Sequence, residues 1–167
     1  MPNFFDIHSH INFNAFKNDG DEVIKKTLEE SVWTILVGSQ YDTSKRAVEY
    51  AEKYNEGIYT AIALHPFHII EQEIEATDWE LSETELTRET RFPKFKTRPE
   101  KFDAKKYAEL AKSQKVVAIG ECGLDYFRLG EDSKKKQKDV FEKQIALGNE
   151  VGKPLMLHIR NAYDDAL

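Results

Sequence analysis

Short apolar runs alternate with longer segments of helical periodicity along this chain. Residues 3–10, "NFFDIHSH", read as a first strand. "DGDEVIKKTLEESV" follows with Val23, Ile24 and Leu28 at helical spacing behind the candidate caps Asp19 and Asp21. "WTILVGS" is a second strand of the buried type, "DTSKRAVEYAEKY" a helix, "GIYTAIALHP" a third strand, and "FDAKKYAELAKSQ" a helix capped by Asp103. "KVVAIGECGLDY" is a fourth strand, "SKKKQKDVFEKQIALGNEVG" a long helix with Gly152 just past its end, "KPLMLHIR" a fifth strand, and "NAYDDAL" opens another helix. Strands that alternate with helices build βαβ units, so the expected class is α/β with a parallel sheet. Residues 71–102 break the rhythm. They are densely charged, and Pro93 and Pro99 interrupt any long helix, which predicts a loop insertion within a single domain over 1–167.

Chemistry-bearing residues gather at the carboxyl ends of the predicted strands, where parallel α/β folds build their sites. Asp6, His8 and His10 recur at every second position, so strict strand alternation puts all three on one face and Phe5, Ile7 and Ser9 on the other. Two imidazoles and a carboxylate converging on one side suit a metal ion. Later strand ends carry His65-Pro66, "GECGLDY" over 120–126, and His158-Ile159-Arg160. Glu121, between Gly120 and Gly123, is expected in a tight open turn that lets its carboxylate approach a ligand, the alternative being a turn carboxylate facing water. His158 ends an apolar run and, taken alone, reads as a buried histidine bonded to backbone. His65 is placed either to contact substrate or to cap its strand end, and His68 reads as ordinary surface. Cys122 reads as packed near the turn rather than nucleophilic. Lys134, Lys135 and Lys136 read as a solvated helix face.

Composition narrows the partners. With 40% hydrophobic residues over 167 positions the chain can bury a core, and its 30 acidic against 24 basic residues leave a net charge of −6. That balance argues against gripping nucleic acid through a broad basic surface, and leaves open a phosphate-bearing substrate if a metal supplies the positive charge. Cys122 is the single cysteine, which excludes an intramolecular disulfide and suits a reducing compartment. No apolar run approaches the roughly 20 residues of a membrane span, and no signal-peptide pattern opens the chain, so a cytoplasmic location without a membrane partner is expected.

Together the motifs resemble the TatD family of metal-dependent hydrolases. "FFDIHSHINF" is similar to that family's opening strand, "LHP" to its third-strand His-Pro, and "IGECGLDYF" to its Gly-Glu-x-Gly-Leu-Asp-Tyr signature. "QKDVFEKQIALGNEVGKPLMLHIR" resembles the helix carrying Gln137, Phe141 and Gln144 and the strand after it. The resemblance implies a TIM-like (β/α)₈ barrel with two divalent cations, Zn²⁺, Mg²⁺ or Mn²⁺. His8 and His10 would hold the first, Glu121 would bridge both, and His158 would hold the second. It implies hydrolysis of DNA phosphodiester bonds by a metal-activated water, with Glu121, Arg160 and His65 as catalytic candidates. Arg160 lies two residues beyond His158 and could fork onto a substrate phosphate. Asp125 and Tyr126 are expected to orient the site. A further histidine and a late aspartate are implied on strands beyond Leu167. A complete barrel takes about 250 residues and eight strands, so the chain is expected to be an N-terminal portion with about five βα units. Two other readings compete. One is a catalytically silent remnant that binds metal weakly or self-associates through an open sheet edge. The other is a phosphoesterase of the polymerase-and-histidinol-phosphatase type, against which "GECGLDY" argues.

Overall fold

The computed structural model describes residues 1–71, 73–75 and 94–167. Its strands are β1 (Phe4–Ser9), β2 (Val32–Val37), β3 (Ile58–Ile62), β4 (Glu73–Glu75), β5 (Lys94–Lys96), β6 (Val116–Asp125) and β7 (Leu155–Arg160). The helices are α1 (Gly20–Glu29), α2 (Tyr41–Ala51), α3 (Ala104–Leu110), α4 (Lys134–Val151) and α5 (Tyr163–Ala166). Among the described residues, β1-β2-β3-β6-β7 form one all-parallel sheet in chain order, like consecutive staves of a barrel. Such a sheet carries its carboxyl ends, and hence His10, His65, Asp125 and Arg160, on one rim.

Helices cover one face of the sheet. Ile24 of α1 and Ala47 and Ala51 of α2 pack on Leu36 and Ile58, and a second cluster joins Val48, Tyr107, Val140 and Leu147 to Ile62, Val116 and Ile119. The opposite face is lined by Val37, Ala61 and Ala118. Asp103 caps α3 through Oδ1, which accepts from the N–H groups of Lys105 and Lys106, and Gly152 closes α4 in the left-handed conformation (φ 65°). Asp19 precedes α1 but makes no side-chain cap; Asp21 lies within the first turn and pairs with Lys53 at 2.8 Å.

Two buried glutamines of α4 tie strand ends to that helix. Gln144 accepts from Leu64 N–H at 2.8 Å and donates to Leu64 C=O at 3.0 Å. Gln137 does the same for Asp125, at 2.7 and 3.1 Å. Each amide imitates a peptide group and satisfies backbone that has run past its ladder. A leucine there would orphan two buried groups, at about 1–3 kcal/mol each.

The charged stretch begins and ends in order that periodicity did not reveal, because β4 and β5 pair antiparallel as a separate ribbon. Residues 72 and 76–93, where the loop insertion was expected, lie outside the described residues. The returning limb docks on the start of α2: Gln40 donates to Arg98 C=O at 2.9 Å, and Glu100 accepts from Tyr41 N–H at 3.0 Å. Among the described residues, β1 and β7 each have a sheet neighbour on one side only, and Phe4 and Ile7 are 70% and 64% exposed. Among the described residues, no helix is long and apolar enough to cross a membrane.

Candidate metal centre

Two β-bulges build the centre. Along β1, Phe5 is level with Trp33 and Asp6 with Thr34, yet Ser9 is level with Leu36, so β1 holds one extra residue between Asp6 and Ser9. Trp33 and Leu36 face opposite ways, and so do Phe5 and Ser9. The expected common face of Asp6, His8 and His10 therefore does not form. Phe5 instead joins Trp33 and Tyr59, at centroid distances of 6.1 and 6.2 Å, and Asp6 accepts from His8 N–H at 3.0 Å, which holds the bulge. Strict alternation failed because it assumes an uninterrupted ladder.

Glu121 likewise sits in no turn. It is the extra residue of β6, since Gly120 is level with Met156 and Cys122 with Leu157. The flanking glycines serve close approach of β7. A Cβ on Gly120 would stand 2.4 Å from Met156 Cβ, and one on Gly123 (φ 145°) 2.2 Å from the His158 carbonyl oxygen.

These devices bring four expected residues together. His8 Nε2 lies 3.2 Å from His10 Nε2 and 3.3 Å from Glu121 Oε2. His158 Nδ1 lies 2.9 Å from Glu121 Oε1, while its Nε2 is held 2.9 Å from Asp125 Oδ2. His10 Nδ1 contacts Val37 C=O at 3.1 Å, which turns Nε2 toward His8. His65 is buried, its Nδ1 accepts from Phe67 N–H, and its ring stands 4.5 Å from that of His158. Two donor groups result, His8/His10/Glu121 and His65/Glu121/His158, each with ligand atoms within 4.8 Å of one another. Donors about 2.0–2.2 Å from a tetrahedral ion stand about 3.3–3.6 Å apart, close to the 3.2 and 3.3 Å separations around His8. Asp125 stands behind His158 where a second carboxylate would orient that histidine as a ligand.

A cavity of about 220 Å³ opens over this cluster, lined by His8, His10, His65, Phe67, Glu121, Arg128, His158 and Arg160. The candidates His8, His10, His65, Glu121, His158 and Arg160 are therefore on its wall, whereas Asp6, Asp125 and Tyr126 are not. Arg128 and Phe67 were missed; their nearest signals were proximity to "GLDY" and to His65-Pro66. Tyr126 turns elsewhere and donates to Asp165 at 2.8 Å.

The model of TatD-related DNases matches residues 5–167. The chain belongs to the TatD family. It is 35% identical over 164 residues to an uncharacterized metal-dependent hydrolase of Bacillus subtilis, YabD, covering 98% of this chain and 53% of that protein. It is 30% identical over 161 residues to the 3'-5' ssDNA/RNA exonuclease TatD of Erwinia tasmaniensis, covering 96% and 51%. The chain thus spans about half the length of the curated relatives it matches. Among solved structures, the TatD homolog YJJV of Escherichia coli superposes with a TM-score of 0.67 at 23% identity, over 98% of this chain and 53% of that one. That likeness shows the TIM-barrel type of fold for the five parallel strands.

Within this TatD site, burial pushes the Glu121 carboxyl up, but the bonds from His158 and His8 outweigh it and hold the group well below the carboxylate range. Burial opposes charge on His158, yet Asp125 and Glu121 raise it to about 9. Glu121 also raises His8, whereas burial lowers His10. Burial pushes the Cys122 thiol up to about 12, in keeping with a packed, unreactive cysteine.

His68 departs from its expected place on the surface. It is partly buried, its Nδ1 has no hydrogen-bond partner, and burial lowers it to about 4, as it lowers His65 to about 3. Both rings stay neutral in the fold at pH 5, while the unfolded chain protonates them below about 6.5. Folding then loses about 2 kcal/mol per histidine between pH 7 and pH 5. His158, raised to about 9, contributes stability that is fully present below about 6.5, so it offsets only a small part. In EDTA, thermal unfolding monitored at pH 7 and pH 5 is expected to show a lower midpoint at pH 5; an equal or higher midpoint contradicts this assignment.

Proposed function

We propose that the chain carries a divalent-metal centre that hydrolyses phosphodiester bonds in single-stranded nucleic acid, DNA foremost. The observation that supports it is Glu121, whose two carboxylate oxygens face separate imidazole sets, His8 with His10 and His158 with His65. His8, His10 and Glu121 would hold one cation, and Glu121 and His158 a second. Such ions supply Lewis-acid stabilisation of phosphoryl oxygens and lower the pKa of nearby water. Imidazole and carboxylate donors do not select sharply among Zn²⁺, Mn²⁺ and Mg²⁺.

The chain's own groups do the rest. Asp125 holds His158 through Nε2 and leaves Nδ1 turned to Glu121. Arg160 and Arg128, on the same wall, offer planar donors to a phosphate. His65, kept neutral by burial, uses Nδ1 to accept from Phe67 N–H, so its Nε2 carries the proton and is a hydrogen-bond donor beside His158.

A 5'-labelled single-stranded oligonucleotide incubated with the chain and Mn²⁺, Mg²⁺ or Zn²⁺ is expected to be shortened, and EDTA to stop it. Ion binding without hydrolysis would instead support the silent, assembly-type reading, for which the one-sided β1 and β7 are the favouring observation. Turnover of phosphomonoesters alone would favour the phosphoesterase reading.

A further inference from the structure

We propose that Phe127 is a stacking platform for one unpaired base of a nucleic-acid strand whose phosphate Arg128 and Arg160 hold at the mouth of the cavity. The inference rests on the nucleic-acid reading above and adds how that substrate would be selected.

Phe127 is 61% exposed, and a large ring left in water gains little from folding. Single exposed apolar residues are common, so exposure alone says nothing. What distinguishes Phe127 is its setting. The Arg160 guanidinium lies 4.2 Å from its ring centroid, and Arg160 lines the candidate metal cavity. Arg128, the next residue, lines the same cavity, with its guanidinium 5.5 Å from the Phe67 ring centroid. Two arginine–aromatic pairs thus flank one opening.

The platform is also fixed in place. Asp125 Oδ1 accepts from Phe127 N–H at 3.1 Å and from Arg128 N–H at 2.9 Å, and its other oxygen holds His158. Asp125 is fully buried, and Gln137 clamps its backbone. One carboxylate therefore anchors the backbone that carries the ring and the guanidinium beside the donor cluster.

The chemistry selects the ligand. With a net charge of −6 the chain cannot rely on a broad basic surface, so binding must come from a few local groups. Guanidinium pairs take a phosphate in a planar fork, and an exposed aromatic takes a base face regardless of sequence. Bases within a duplex keep both faces covered by their neighbours. An unpaired base can leave its stack and lie on Phe127, which favours single strands and frayed ends.

The test is a coupling experiment. A fluorescein-labelled hexathymidylate with phosphorothioate links, which resists hydrolysis, is titrated with the ion-loaded chain. The same ligand is then used with an abasic site at each position in turn. Phe127→Ala is expected to weaken binding of the intact strand about 10-fold, within the range for one stacked base. Phe127→Trp should retain binding. In the unsubstituted chain one abasic position should cost a similar factor, and in Phe127→Ala that cost should vanish. Divalent-ion affinity measured by calorimetry should be unchanged in both variants. If Phe127→Ala binds like the unsubstituted chain, or weakens intact and abasic strands equally, the platform is overturned while the phosphodiester reading stands. If the unsubstituted ion-loaded chain binds no strand at all, the nucleic-acid reading fails, and this inference with it.

Discussion

Glu121→Gln is expected to weaken divalent-ion binding at least about 100-fold, or about 2.7 kcal/mol, while leaving the chain folded. Glutamine preserves the volume but removes the charge, and it replaces one of two acceptor oxygens with an amide nitrogen. Those oxygens stand 2.9 Å from His158 and 3.3 Å from His8, so the substitution strikes both donor groups at once. Single variants at the histidines separate the groups. His10→Ala should remove one equivalent of bound ion and His158→Ala another, whereas Glu121→Gln removes both. Calorimetric titration with Mn²⁺ or Zn²⁺ reads stoichiometry and affinity together. Wild-type affinity in Glu121→Gln would show that the carboxylate is only a partner of the histidines and would remove the proposed centre.

Gly123→Ala should produce the largest loss of stability, more than about 4 kcal/mol, which approaches the total for a domain of this size. Two penalties combine at this position. The φ of 145° is one that side-chain-bearing residues rarely adopt, and the new Cβ would stand 2.2 Å from the His158 carbonyl oxygen. Relief requires β6 and β7 to part, which also withdraws His158 from Glu121. Gly152→Ala provides an intermediate case, with a left-handed φ of 65° but no atom near the added Cβ, and should cost about 1 kcal/mol. Gly130→Ala meets nothing within 4 Å and should change stability by less than about 0.5 kcal/mol. Urea unfolding of the three variants gives the order directly. Gly123→Ala with near wild-type stability would show that the strands yield there at little expense.

Much of the architecture could be read along the chain because both periods were strong. Buried strands such as "WTILVGS" and the stripe of α1 admit few other readings. Gly152 and Asp103 marked helix ends through chemistry local to a few bonds, and local chemistry survives folding. Asp19 did not: its backbone lies outside the extended region usual for a cap, and its side chain makes no cap hydrogen bond. The ribbon of β4 and β5 escaped notice since its strands are three residues each, too short for a period to emerge.

The candidate ligand residues stood out by type and by position at strand ends. Their mutual geometry did not. Alternation put Asp6 beside His8 and His10, and the glycines around Glu121 suggested a turn. In each strand a single extra residue, set by how neighbouring strands match along their length, reversed the facing. Register is a property of two strands, and one strand's sequence holds only half of it.

The sequence by itself determined the α/β order and, through its motifs, the likeness to the TatD family, and it singled out His8, His10, His65, Glu121, His158 and Arg160 as candidates, because periodicity and motif spacing are carried within single segments. Tertiary structure alone decided that Glu121 faces two imidazole sets and that Asp125 stands behind His158. It also decided that His68 is partly buried and that Arg128, Phe67 and Phe127 gather at the opening. Those facts depend on distances between atoms far apart in the chain, set by bulges and close strand packing that no single segment encodes.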